Sequence, residues 1–199
     1  MLLSGCSSAI KFSATKKVSV TGASVVKRSD YPTRDQVIIY TFGNNLAGVL
    51  GGAIGAAAVA GAGSDDRSQF AAYLHSQKID PGIIMAQAFD DELKKAPLWP
   101  ASRSTSDAAF EFKIGIVGLM IRHGLTTKLS PYLVAEGKLV RRDGSVLWKR
   151  TSYVRDAEIR HSLEEYLQQP PVLRRALEAA ARTLSQDFLE ELHDDSGSS

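Results

Sequence analysis

The sequence predicts an α+β domain in which central helices and a C-terminal amphipathic helix pack on an antiparallel or mixed sheet, with a Gly/Ala-rich helical insertion near its start. Three observations predict it. Phe110, Phe112, Ile114 and Ile116 alternate with Glu111, Lys113 and Gly115, the period of a half-buried strand. Two further β-rich runs, Pro131 to Arg141 and Ser145 to Val154, meet at Arg142-Asp143-Gly144, where Asp-Gly favours a tight hairpin turn. Leu173, Leu177, Ala180, Leu184 and Phe188 then form the inward row of the longest amphipathic stretch, Val172 to Leu192. A chain of 199 residues, 44% hydrophobic and 23% charged, has the composition of one ordinary globular domain.

The elements follow in order. Residues 7–15 carry no periodicity and predict a tether. Val18, Val20, Val25 and Val26 predict a first strand bent at Thr21-Gly22, and Asp30-Tyr31-Pro32-Thr33 a turn. Gln36 to Phe42 is β-rich and predicts a second strand. Ser68 to Lys78 predicts a helix with Phe70, Tyr73 and Leu74 inward. Asp80-Pro81 supplies an N-cap followed by proline at the first helical position, and Met85, Phe89 and Leu93 recur every four residues behind it. Asp90 with Lys94 and Asp91 with Lys95 are spaced as pairs on a solvated face. His123-Gly124 predicts the turn after the long strand. Asp156 to Gln168 predicts a helix carrying Ile159, Leu163 and Leu167, broken at Pro170-Pro171, and 194–199 a disordered polar tail beyond a single domain over 16–193.

Gly43 to Gly63 contains no charged residue, and its small residues fall in two rows four apart: Gly43, Ala47, Gly51, Gly55 and Gly48, Gly52, Ala56. On a helix, residues four apart share a face, so these rows make smooth ridges for a second backbone. Gly48, Gly51, Gly52 and Gly55 each cost about 1 kcal/mol relative to Ala in a helix, which makes such a helix dependent on a close partner. A packed glycine zipper that oligomerises, a flexible loop and a membrane-inserting segment are the three readings. The Ala/Gly composition offers little transfer free energy for insertion.

The chemistry-bearing residues do not converge in sequence. His75, His123, His161 and His193 are scattered, and Glu158 with His161 is short of a structural metal set. No G-x-S-x-G, G-x-G-x-x-G or G-x-x-x-x-G-K-[ST] occurs. The expectation is a non-enzyme without metal or cofactor, the alternative a hydrolase of unrecognised type. A net charge of +2 is too small to argue for a nucleic-acid partner. The bases Lys11, Lys16, Lys17, Lys27, Arg28 and Arg34 face only Asp30 between Ser7 and Arg34, and Arg141, Arg142, Lys149 and Arg150 flank the hairpin; both sets suit lipid phosphates or plain solvation.

Leu3-Ser4-Gly5-Cys6 resembles a bacterial lipobox. The resemblance implies residues 1–5 as the remnant of a signal peptide, acylation of Cys6 and a lipidated tether over 6–15. Cys6 is the single cysteine, so it has no intrachain disulfide partner; the alternative is a free thiol. Only Met1 and Leu2 precede Leu3, whereas a complete signal has a basic segment and a longer apolar run there, so either the start is trimmed or a true start lies upstream. Ser7 after the cysteine resembles the signal for outer-membrane sorting, with the domain facing the periplasm. With the helix IIMAQAFDDELKKAPLW and the hairpin RRDGSVLWKR, the chain looks like small envelope lipoproteins, among them the curli-secretion lipoprotein and the auxiliary lipoproteins of envelope transport systems. That resemblance implies an assembly or accessory role among envelope proteins, or self-association. The glycine insertion departs from the curli-secretion pattern, and no stretch has the length and alternation of its pore-forming hairpins.

Overall fold

The structure, a computed structural model, describes residues 9–40, 65–99, 106–121, 128–155 and 158–197. Its centre is the long strand β3 (Ala108–Ile121), numbered after two short strands, β1 (Ala23–Val25) and β2 (Val37–Tyr40). β4 (Leu129–Arg141) runs antiparallel to β3 from Ala108 opposite Arg141 to Ile121 opposite Leu129, and β5 (Val146–Val154) runs antiparallel to β4. The turn between β4 and β5 is the expected one: Gly144 has φ +87°, a left-handed conformation that suits glycine. On the other edge of β3 lie β1, with Val25 opposite Phe110, and β2, with Val37 opposite Val117, both parallel to it. The sheet is therefore mixed.

Between these two short strands β3 has a stretch of open edge, and side chains fill it. The Asp30 carboxylate accepts the Ile114 N–H at 2.7 Å, and Gln36 Nε2 donates to the Ile114 carbonyl at 2.7 Å. Backbone groups that lack a ladder partner are thus still satisfied. The alternation expected through Ile116 breaks at Gly115: Ile114 faces Ala135, Ile116 faces Val134, and Gly115 is the extra residue of a β-bulge. Ile114, Val117 and Leu119 are fully buried on one face, while Ile116 turns to the other.

The helices cover that first face alone among the described residues. α2 (Asp66–Ser76) is capped by Asp65, whose carboxylate accepts from the Arg67 and Ser68 amides, and buries Phe70, Tyr73 and Leu74 as expected. α3 (Pro81–Lys95) starts at the predicted Asp80 cap with Pro81 in its first turn, and Met85 and Phe89 are fully buried. The C-terminal helix lies against α3, β4 and β5 with Leu173, Leu177, Ala180, Leu184 and Phe188 all buried. Over the sheet, Trp148 is fully buried and meets Phe188 edge-on at 5.4 Å. A Cβ at Gly137 would come within 2.8 Å of the Trp148 ring, so the glycine makes room for the indole.

Several sequence expectations are corrected. The expected tether is partly folded: Ile10 pairs with Lys149 on the free edge of β5, Phe12 is 0% exposed, and Ala14–Val18 forms helix α1 where a strand was expected to begin. Phe12 meets Trp99 edge-on at 6.1 Å, and burying such a side chain contributes about 1.5–3 kcal/mol. The helix expected from Asp156 begins only at Leu163: α4 is Leu163–Gln168, capped by Ser162, because the backbone of His161 pairs with Leu129 at the start of β4. As expected, the run breaks at the prolines: α4 ends at Gln168, and Pro170 opens α5 (Pro170–Gly197), where proline fits a first turn. The predicted disordered tail is helical as far as Gly197, with Asp195 accepting the Phe12 N–H at 3.2 Å.

Candidate functional site

Cys6 lies outside the described residues, as do Gly48, Gly51, Gly52 and Gly55 and the turn at His123. What the structure supplies is the point where the chain carrying Cys6 joins the domain. Ile10 exchanges both backbone hydrogen bonds with Lys149, at 2.9 and 3.0 Å, so the junction sits at mid-length on the exposed edge of β5. Ser7, Ser8 and Ala9 separate Cys6 from Ile10, four Cα steps that span about 14 Å at most. The pairing is antiparallel, so from Ile10 back to Ala9 the chain heads toward the Tyr153 end of β5.

That end carries the second feature. The face of the sheet away from the helices presents Ile116, Tyr132, Val134 and Tyr153 side by side: Ile116 and Tyr153 both oppose Val134, and the Tyr132 and Tyr153 rings lie 6.3 Å apart. Tyr153 is 56% exposed, and the Arg155 guanidinium sits 5.8 Å from its ring centroid. Further along the same face Glu136 bonds both Lys138, at 2.9 Å, and Lys149, at 3.2 Å. Burial alone would raise the Glu136 carboxyl, but the hydrogen bonds from Lys138 and Lys149 bring it below the usual range.

A groove of about 580 Å³ runs on the opposite side between α3 and α5. Ile83 and Ala88 contribute apolar surface, and Lys94, Arg174 and Arg182 contribute charge. At its base Glu92 is buried, accepting from Lys95 at 2.6 Å and from Gln186 at 3.3 Å, with Arg182 3.8 Å away. The Lys95 hydrogen bond outweighs burial and, with Gln186 and Arg182, holds the Glu92 carboxyl below its ordinary value. Sequence spacing paired Lys95 with Asp91; the structure pairs it with Glu92, which is buried on the side of α3 that carries Met85 and Phe89. Asp90 does pair with Lys94, at 3.0 Å.

The remaining candidates are not brought together. His75 stacks near Tyr31, His161 lies 3.6 Å from Glu165, and His193 reaches the Leu189 carbonyl. Among the described residues no three His, Cys, Asp or Glu side chains cluster as a metal set, and no helix is long and apolar enough to cross a membrane. Of the hairpin bases, Arg141 donates to Ser19, Lys149 to Glu136 and Arg150 to Glu191. Two buried tyrosines serve the fold: Tyr73 donates to the Leu167 carbonyl at 3.0 Å and Tyr166 to that of Leu129 at 3.0 Å. Desolvation pushes both phenols up to about 12.

No family model matches the sequence, and no curated protein matches it significantly. Among solved structures the fold is similar to a Xanthomonas campestris protein of the family DUF330, at 13% identity and TM-score 0.38, over 55% of this chain and 59% of that one. This chain thus spans about three-fifths of that neighbour's length. It is also similar to a Caulobacter crescentus protein assigned to the lipoproteins, at 14% identity and TM-score 0.36, over 57% of this chain and 84% of that one. A minor lipoprotein of Acinetobacter baumannii aligns at 13% identity and TM-score 0.36, over 53% of this chain and 82% of that one. These values are too low to carry a functional argument.

Proposed function

We propose that this chain is a bacterial envelope lipoprotein, anchored through acyl chains on Cys6, whose domain faces the periplasm and acts as a non-catalytic accessory part of an envelope transport or secretion assembly. One observation carries the reading: the Leu3-Ser4-Gly5-Cys6 box stands only four residues before Ile10, where the fold takes hold of the chain. A lipid at Cys6 would hold a whole domain, not the end of a long arm, close to the membrane. Buried acyl chains at about 0.8 kcal/mol per CH₂ make such attachment practically irreversible once two or more are present. Outer-membrane sorting is supported by Ser7 following the cysteine.

The non-catalytic reading is supported by the sequence, which carries no motif for an activated nucleophile, a metal set or a nucleotide cofactor.

Two measurements test the proposal. Labelled palmitate incorporated by the full chain and lost in Cys6→Ser, with the label in the outer-membrane fraction, is the expected result; acylation that survives Cys6→Ser overturns the anchor. Solubilised full chain is expected to co-purify with subunits of a membrane transport or secretion complex. Recovery of the chain alone, with a hydrolytic activity abolished by His161→Ala, overturns the accessory role.

A further inference from the structure

The open face of the sheet and the junction at Ile10 belong to the same edge of the molecule, and their geometry points to a single occupant. We infer that the Tyr132–Tyr153 end of this face lies against the anionic lipid surface to which Cys6 ties the chain, with Tyr153 and Arg155 at headgroup level. The inference rests on the anchoring reading and adds the orientation of the domain to it.

Three observations carry it. First, reach: about 14 Å of chain separates Cys6 from Ile10, and Lys149 to Tyr153 is four residues of strand, about 13 Å at roughly 3.3 Å per residue. A membrane attached at Cys6 therefore cannot be far from Tyr153. Second, direction: the antiparallel pairing at Ile10 carries the chain, back to Ala9, along β5 toward Tyr153 and away from the hairpin at Gly144.

Third, chemistry: Ile116, Val134, Tyr132 and Tyr153 form an apolar and aromatic strip that no described element covers, with the cation of Arg155 against the exposed tyrosine. Tyrosine beside a basic residue suits the boundary between acyl chains and headgroups, where the ring is half-immersed and the cation meets phosphate. Around the strip Lys113, Lys138, Lys149 and Arg155 outnumber Glu111 and Glu136. The helical side is turned the other way, which leaves the groove between α3 and α5 open to the periplasm.

Acylation of the single cysteine leaves the mature chain without a thiol, so one introduced cysteine can be labelled selectively. Full-length acylated protein carrying Tyr153→Cys, Thr151→Cys or, on the helical side, Arg175→Cys is labelled with an environment-sensitive fluorophore. Each variant is then reconstituted in vesicles of phosphatidylethanolamine and phosphatidylglycerol. All three positions are exposed, so the fold tolerates the changes. The expected result is that a quencher on the lipid headgroup suppresses the labels at 151 and 153 at least threefold more than the label at 175. Equal quenching at the three positions, with Cys6 shown by mass spectrometry to be acylated, overturns the orientation and leaves the anchor standing. An unmodified Cys6 thiol in protein purified from membranes overturns the anchoring reading and this inference together.

Discussion

Replacing Asp80 by alanine tests how one side chain joins a helix to the open edge of the central strand. Its carboxylate caps α3 by accepting from the Gly82 amide at 2.9 Å and the Ile83 amide at 3.2 Å. It also accepts from the Asp30 amide at 3.1 Å and from the Ser29 hydroxyl. Asp30, so held, receives the Ile114 N–H in the gap between β1 and β2. Loss of an N-cap costs about 0.5–2 kcal/mol, and loss of hydrogen bonds to a charged acceptor about 1.5–3 kcal/mol each. These terms share one group and do not add fully, so about 3 kcal/mol is expected for Asp80→Ala. For a chain of this length that corresponds to a fall in Tm of about 6–12 °C. Thermal unfolding followed by circular dichroism measures it, with Asp143→Ala in the exposed hairpin turn as a control expected to shift Tm far less. A second readout is specific to the mechanism: the Ile114 amide should exchange faster in Asp80→Ala. A Tm within 2 °C of the parent, or unchanged protection at Ile114, would refute the reasoning.

Other expectations follow from the same packing. Gly137→Ala places a Cβ against the Trp148 ring, and overpacking of this kind costs about 1–3 kcal/mol; urea unfolding should show the loss, and Gly137→Ala with Trp148→Phe should recover part of it. Gly118→Ala would drive a methyl into the backbone carbonyl of Ile38, so exchange protection of β2 should collapse while that of β4 and β5 persists. The Glu92 carboxyl, lowered in the folded state chiefly by Lys95, gives stability that is present above its unfolded pKa of about 4.3 and is lost as pH falls through the folded value. Stability measured from pH 6 to pH 3 should therefore decline more steeply in the parent than in Glu92→Gln, and parallel curves would contradict the assignment. Tyr73 and Tyr166, raised to about 12 by burial, favour the fold below pH 10 and lose that contribution between about 10 and 12. Ultraviolet titration should show a late-ionising component, and Tyr73→Phe should reduce it.

The amino-acid sequence by itself determined the features whose cause is local. Asp80-Pro81 starts a helix because the cap and the proline both act within one turn. Asp143-Gly144 turns the hairpin because only the residues at the turn must tolerate its φ. Leu173 through Phe188 is buried because helical spacing puts those side chains on one face. The resemblance of Leu3-Ser4-Gly5-Cys6 to a lipobox is equally local, a tetrapeptide pattern that needs no distant partner. Tertiary structure alone decided the features that depend on distant partners. Nothing in the neighbourhood of Ile10 and Phe12 marks them as part of the domain; they are ordered by Lys149, Trp99 and Asp195, each far away in sequence. Gly115 looks like one more outward position until the pairing of β3 with β4 needs an extra residue there, and the phase of every later side chain on that strand then reverses. Glu92 falls three residues after the inward Phe89, and only the packing of α5 supplies Gln186 and Arg182 to hold its charge there. The apolar strip around Tyr153 was not legible for the same reason: its residues come from three strands, and only their register puts them side by side on a face that the described helices leave uncovered.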